Sequence, residues 1–501
     1  MNTTDQYSIH LPIIDPHEAD RDPAGYFATR SAVKAFDLKH RGVLRKAIGN
    51  YNHSVDLAKK RFLDHEDARR RAAAIKRDAI ENLDKYLEEF EANVKKRGGQ
   101  VHWAETAEDV RRIILKIAAD HKVSHVVKGK SMATEEVHLN DAFEEAGIEP
   151  VETDLGEYIC QLRGEPPYHI VTPVMHLTKG DIADTFEEKL QIERTEVAEE
   201  LTMIARERLR SRFVSAVMGI TGGNFLVADV GMVAITENEG NARLSFSLPD
   251  VHVALVGIEK ILPRLEDLGL LWPMLATSGT GQHLTCYNSL IGAAKKEGEI
   301  DGPSQFHVVL MDNGRTRLLA DPEQREAAQC IRCGACLNAC PIFKNVGGHT
   351  YGTTYQGPIG SVITPHLRGL KEWKHLPYAS SLCGNCTEVC PVKIDIHHHL
   401  LHNRRNAVER GYSSRWEKHA FQVWLWFMMS TSRYRIAGKL ARVGEWFFNK
   451  LRIAEHDALN PIQGWTKSRV LPALAKQSFR DWWDEVGGQD ESRTKVESSR
   501  N

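Results

Sequence analysis

Cys330, Cys333, Cys336 and Cys340 stand in the pattern C-x2-C-x2-C-x3-C, and Cys383, Cys386 and Cys390 repeat its latter part as C-x2-C-x3-C. Proline follows each motif, at positions 341 and 391. Thiolates at this spacing wrap a pair of [4Fe-4S] cubes: three closely spaced sulfurs converge on one cube, while the fourth, beside the proline, faces the other. Proline then turns the chain away, because its fixed φ and missing N–H end the loop. The spacing assigns cluster I to Cys330, Cys333, Cys336 and Cys390, and cluster II to Cys340, Cys383 and Cys386. The second motif lacks its first cysteine, since the position three before Cys383 is Ser380 in "YASSLCGNC". The last iron of cluster II is left to Ser380, Ser381, water or hydroxide, or a partner's side chain, or is absent in a [3Fe-4S] cluster. The sequence keeps all of these open.

Other uses of the cysteines fit less well. Zinc sites use paired knuckles with four ligands per ion, which seven cysteines do not supply. A disulfide framework needs an oxidising compartment. The N-terminal stretch "MNTTDQYSIHLPIIDPHEADRDPAGYF" lacks the basic leader and apolar run of a signal peptide, so the expected location is the cytoplasm. Cys160 and Cys286 lie in apolar surroundings and read as small core residues.

Further constellations are weaker. Gly129-Lys130-Ser131 has the end of a phosphate loop, but the glycine required five residues earlier is Ser124, and the motif fails. Asp229 and Glu239, with loop glycines 222, 223, 279 and 281, have the residue types of a transferase-like site for an anionic ligand, though turn chemistry explains them more simply. In "DIHHHLLHNRR", His398 and His402 have metal-competent i, i+4 spacing. No acidic residue sits at the right offset and Asp395 reads as an N-cap, so His397, His398, His399 and His402 are expected to form a solvated or partner-facing helix start.

The elements that must position these residues come from the rest of the 501-residue chain, whose 42% hydrophobic content supports a core. Lys and Arg number 65 against 67 Asp and Glu, so no global basic field exists to gather nucleic acid or anionic lipid. Residues 1–99 read as a tail and a helical arm, with "DARRRAAAIKRDAIENLDKYLEEFEANVKKRGG" at helical spacing and a Gly-Gly stop. Residues 100–318 read as an α/β domain. "QVHWA", "SHVVKG", "EPVETD" and "HIVTPV" are expected strands, and "TAEDVRRIILKIAADH" a helix capped by Thr106. A long helix is expected from Arg194 to Val217. An antiparallel set follows, in which "NFLVADVGMVAIT" turns at "ENEGN" into "ARLSFSL" and "VHVALVGI", and another hairpin is expected at Asn313-Gly314. Residues 319–400 carry the cysteines, with 341–382 expected as loop with little helix. Residues 401–501 read as a helical extension whose last dozen residues are expected to be disordered. Its run "FQVWLWFMM" is far short of the roughly 18 apolar residues needed to span a bilayer. That aromatic helix, followed by Arg433, Arg435, Lys439 and Arg442, is suited to burial against a sister subunit or to lying on a membrane surface.

Longer phrases resemble a known family. "CIRCGACLNACP", "VGGHTYGTTYQGPIGSVITPHLRGL" and "LPYASSLCGNCTEVCPVKI" are similar to the LutB-type iron–sulfur subunit of a bacterial L-lactate utilisation system. "ETDLGEYICQLRGEPPYHI" and "TGGNFLVADVGMVAITENEGNARLSFSLPDVHVALVGIEKILP" resemble its LUD domain. The resemblance implies an α/β LUD domain of NagB/RpiA/CoA-transferase-like fold, a bi-cluster ferredoxin-like module and a helical C-terminal extension. It also implies electron relay as L-lactate is oxidised to pyruvate, beside a second cysteine-rich iron–sulfur subunit and a small LUD-only protein. The rival functions are a LUD-domain ligand-binding redox sensor and a CoA-transferase-like enzyme with structural clusters.

Overall fold

The computed structural model describes residues 18–450 and 473–486. The chain divides into two compact units, separated after Tyr412.

Among the described residues of the first unit, ten strands form two sheets: β1 (Gln100–Ala104), β2 (His125–Lys128), β3 (Glu149–Glu152), β4 (Met218–Thr221), β5 (Phe225–Val227), β6 (Met232–Glu237), β7 (Val251–Gly257), β8 (Ile261–Leu262), β9 (Tyr287–Ile291) and β10 (Gln305–Met311). Six of them make a parallel sheet in the order β1-β10-β7-β4-β2-β3. Every residue of β4 and β7 is buried, as expected of parallel strands covered on both faces. The other four form a smaller sheet, β8-β5-β6-β9, whose β5–β6 and β6–β9 pairs are antiparallel.

Connections place helices against the sheet. Helix Ala107–Asp120 is opened by Thr106, whose hydroxyl accepts from Asp109 N–H while the Asp109 carboxylate accepts from Thr106 N–H. This capping box satisfies two of the orphan donors at the helix start. Val110, Ile114 and Ile117 of the helix bury their side chains with Val253 and Val309 of the sheet. From β2 the chain passes to β3 on one side and then returns to place β4 on the other side of β2. The winding reverses between β2 and β4, which opens a crevice beyond their carboxyl ends.

Several local readings are corrected. "ARLSFSL" is a helix, Asn241–Ser247, with left-handed Gly240 at its N-cap. The hairpin turn lies instead at residues 228–231 between β5 and β6, where Gly231 has φ +59 and a Cβ would sit 2.5 Å from the Asn93 backbone. "VHVALVGI" supplies β7 of the parallel sheet rather than an antiparallel partner. Asn313 and Gly314 are left-handed, but they lead into helix Arg315–Leu319 and form no hairpin. "HIVTPV" is not a strand, because His169 Nδ1 accepts the N–H groups of Val171 and Thr172 and turns the backbone. The long helix runs over Ala198–Ser215.

The segment 341–382 contains a buried 12-residue helix, Gly357–Arg368. Its glycines serve close packing: a Cβ on Gly360 would stand 1.8 Å from Tyr355 O. Composition suggested a loop where tight contact requires small residues.

Helices Leu38–Lys59 and His65–Glu81 pack into the same core as the cysteine-bearing segment, through Leu44, Ile48, Ala68 and Ala72. The second unit contains helices Arg415–Met428, Thr431–Lys450 and Phe479–Val486. No residue of Arg415–Met428 is buried. Among the described residues, no helix is long and apolar enough to cross a membrane. The expected disordered end lies outside the described residues.

Candidate iron–sulfur centre and adjoining cavity

Seven cysteines occupy two loops of one pattern. Cys330 follows a 3-10 turn, Arg325–Gln329, and Cys336 lies on helix Ala335–Ala339. Between them, Arg332 and Gly334 flank Cys333 with φ of +61 and +79. The left-handed pair bends the backbone around the central sulfur.

Cys330, Cys333, Cys336 and Cys390 line one small cavity, closed by Ile170, Ile359 and other apolar side chains. Cys340, Cys383 and Cys386 lie close enough for their charges to act on one another. Cys386 also acts on Cys336, so the two groups are neighbours. The only groups of three metal-ligating atoms within 4.8 Å of one another, among the described residues, are Glu165-His176-His349 and Asp395-His397-His398. No three cysteine sulfurs are that close. Thiolates at about 2.3 Å around one tetrahedral zinc would be separated by only about 3.8 Å; sulfurs spread more widely fit a cube.

Donors point at the sulfurs. Arg332 N–H donates to Cys330 Sγ at 3.4 Å, and Ile394 N–H to Cys390 Sγ at 3.4 Å. The N–H groups of Ala335, Phe343 and Thr387 donate to Cys333, Cys340 and Cys386. Burial nevertheless dominates, pushing the Cys390 thiol up to about 12 and the Cys386 thiol up to about 11. Such thiols deprotonate readily only against a strong cationic partner. Cys383 differs: it is exposed, and the Asn385 N–H followed by the Ser381 hydroxyl lowers it. The first group is enclosed and the second opens to the surface.

Residues far upstream fasten the cysteine loops. Arg69, 9% exposed, donates from Nε to Cys390 O at 3.0 Å and from Nη2 to Glu388 O at 2.7 Å. Arg315 pairs bidentately with Glu136 at 2.9 and 2.8 Å and reaches Glu259 at 2.6 Å. Arg332 Nη2 approaches Glu259 at 3.4 Å, while its guanidinium lies 4.4 Å from the Tyr355 ring centre. Burial raises the Glu259 carboxyl, but Arg315, Arg332 and Lys260 outweigh it and hold it at about 2. Arg69, Arg315 and Glu259 carry no motif spacing in the sequence. Arg332 was visible inside "CIRCG", but its partners were not.

A cavity of about 710 Å3 occupies the crevice beyond β2 and β4. Lys130 and Ser131 after β2, and Gly222 and Gly223 after β4, form one side; Arg332 and Cys333 form part of another. Lys260 also lines it, and burial followed by the Arg332 guanidinium pushes its amine down to about 8. The Arg332 Nε and Nη1 are buried without hydrogen-bond partners. Gly279 lets the helix Leu268–Thr280 meet the cysteine loop, since a Cβ there would lie 2.8 Å from Cys333 O.

The remaining candidates separate. Glu239 lines the cavity, and burial followed by the Asp154 carboxylate raises it to about 7. Asp229 instead accepts the Leu265 N–H at 3.0 Å and serves a turn. Gly281 meets the backbone of Ser54, a packing role. Lys130 donates to Val171 O, and Ser131 caps helix Met132–Glu136. Cys160 is buried but Cys286 is exposed, correcting its expected place in the core. His398 does not gather with His402. It lies 2.5 Å from Asp395, which makes no N-cap bond and also approaches His397 at 3.1 Å. His399 pairs with Glu326 at 3.0 Å.

The LUD domain family matches residues 87–311, the 4Fe-4S dicluster domain matches 326–394, and the family described as lactate utilisation protein B, C-terminal, matches 402–487. Lactate utilization protein B of Bacillus cytotoxicus is 44% identical over 422 residues, covering 84% of this chain and 88% of that protein. The chain belongs to the lactate utilisation protein B family. Lactate utilization protein B 2 of Bacillus mycoides, another member, is 43% identical over 420 residues, with 83% and 88% coverage. A solved DUF162 family protein from Deinococcus radiodurans aligns with 46% of this chain and 98% of its own at 12% identity and a TM-score of 0.26. The family match and the donor set agree that the cysteine segment is an iron–sulfur module.

Proposed function

We propose that this chain is the iron–sulfur electron-transfer subunit of a multi-protein complex that oxidises L-lactate to pyruvate. The observation carrying the proposal is the pair of neighbouring cysteine groups, one enclosed beside a cavity and the other open at the surface. Cys330, Cys333, Cys336 and Cys390 hold cluster I; Cys340, Cys383 and Cys386 hold cluster II. Bound cubes supply single-electron transfer at potentials tuned by charge, hydrogen bonds and burial.

The chain's own residues prepare that chemistry. Backbone N–H groups stabilise the thiolates, Arg69 fixes the Cys390 loop, and Arg332 with Lys260 places positive charge beside cluster I. The partners are a second cysteine-rich iron–sulfur subunit and a small LUD-only protein, as the family resemblance implies. The exposed aromatic face of Arg415–Met428 is assigned to a sister subunit, which would cover Trp424 and Trp426. Oxygen-free purification should yield brown protein whose colour bleaches with L-lactate only when the partners are present. Bleaching with this chain alone would make it the catalyst, whereas zinc in place of iron would remove the proposal's basis.

A second reading concerns the LUD cavity, favoured by the unpartnered Arg332 donors and by its position at the sheet's winding reversal. It binds a small carboxylate, either for electron relay or for sensing. Calorimetry with L-lactate and pyruvate should show binding that falls at least about tenfold in Lys260→Gln, equivalent to about 1.4 kcal/mol. Equal binding by the variant would separate the cavity from that ligand.

A further inference from the structure

We infer that Ser380 Oγ is the fourth protein ligand of cluster II, completing the set with Cys340, Cys383 and Cys386. The inference rests on the cluster reading above and selects among the ligands that the cysteine spacing leaves open.

The second cysteine loop repeats the first, element by element. A 3-10 turn, Leu376–Tyr378, precedes Ser380 as Arg325–Gln329 precedes Cys330. Leu382 and Gly384 flank Cys383 with φ of +55 and +79, matching Arg332 and Gly334 around Cys333 at +61 and +79. Gly384 O accepts the N–H groups of Thr387 and Glu388 at 3.0 and 3.1 Å; Gly334 O accepts those of Leu337 and Asn338 at 3.0 and 3.2 Å. Cys390 N–H donates to Thr387 O as Cys340 N–H donates to Leu337 O, at 3.2 and 3.1 Å. Each loop then ends in Cys-Pro.

Within this shared frame, Ser380 occupies the place of Cys330. Leu382 N–H donates to Ser380 Oγ at 3.1 Å, and Arg332 N–H donates to Cys330 Sγ at 3.4 Å. A local serine turn would explain the first bond by itself. It would not explain two left-handed residues and the start of a short cysteine-bearing helix at the same offsets, each loop also preceded by a 3-10 turn. A left-handed leucine is uncommon because its side chain crowds the backbone; the fold keeps one at Leu382 where the other loop has Arg332.

The neighbouring serine has a different task. Ser381 is exposed, and its hydroxyl donates to Cys383 Sγ. A hydroxyl committed to a ligand sulfur supports that ligand rather than reaching iron itself. Arg404 further fixes the Ser380 segment by donating to Pro377 O at 2.8 Å.

Ligation is a simple exchange. The Ser380 O–H bond breaks as the O–Fe bond forms, the proton leaves to solvent, and no electron is transferred. Oxygen is a harder donor than thiolate, so this corner of cluster II differs electronically from the other three.

The test uses full-length protein, purified and reconstituted without oxygen, with iron and sulfide analysis and electron paramagnetic resonance. Wild type and Ser380→Cys should each hold about eight irons per chain. After mild ferricyanide oxidation, Ser380→Ala should fall to about seven irons and show a three-iron signal. Ser381→Ala should keep the wild-type iron count. Retention of the wild-type count and spectrum by Ser380→Ala, loss of iron from Ser381→Ala instead, or a three-iron cluster already in wild type would each overturn the assignment. Failure of every variant and the wild type to bind iron would fail the underlying iron–sulfur reading, a distinguishable outcome. Ser380→Cys guards against misfolding, because recovery of iron there and loss in Ser380→Ala isolates the ligand atom.

Discussion

At the scale of single residues, a buried carboxyl group without a hydrogen-bond partner is an informative signal. Glu157 is 2% exposed and neither carboxylate oxygen has a hydrogen-bond partner. Burial, then the Glu152 and Asp154 carboxylates, raise its proton affinity well above the ordinary value of 4.5. The native chain therefore retains a proton that the unfolded chain releases. Stability falls as pH rises from the ordinary glutamate range towards the raised native value, by up to about 1.4 kcal/mol per pH unit. Glu157→Gln keeps a neutral group of the same shape and should flatten that slope in urea unfolding measured across pH. The iron–sulfur module was legible because such ligation requires close, fixed cysteine spacing. Arg69 and Arg315 were not, since the groups they fasten lie far along the chain and no local pattern connects them.

At the scale of elements, Gly279 marks the contact between the α/β half and the cysteine-bearing loop. Gly279→Ala places a methyl group against Cys333 O, which should cost about 1–3 kcal/mol and lower iron retention during gel filtration. Of the parallel strands, β1, β2 and β3 were readable from alternation with helices, whereas β7 was expected to be antiparallel and β4 and β10 gave no separate signal; Thr106 announced its helix by local capping chemistry. The strand partner assigned to "ARLSFSL" was misread because Glu237 accepts the N–H groups of Ala242 and Arg243 and starts a helix there. The helix Gly357–Arg368 was missed for a different reason. Glycine and proline normally argue for loop, yet Pro358 suits the first turn and Gly360 suits a backbone contact.

At the scale of the whole molecule, each compact unit carries its own consequence. The second carries Trp424 and Trp426, each 55% exposed. Replacing both by serine should leave iron content unchanged while reducing co-purification with the proposed sister subunits about tenfold, equivalent to about 1.4 kcal/mol. Flotation with anionic phosphatidylglycerol vesicles provides the contrasting measurement: loss there alone would assign the face to lipid. The first unit joins sequence segments separated by hundreds of residues. Arg69 meets Cys390 across 321 positions. At about 5–20 residues per second, ribosomal synthesis leaves the arginine waiting roughly 16–64 s for its carbonyl partner. The proposed cluster I, which takes Cys390 as a ligand, can therefore close only at the end of that interval.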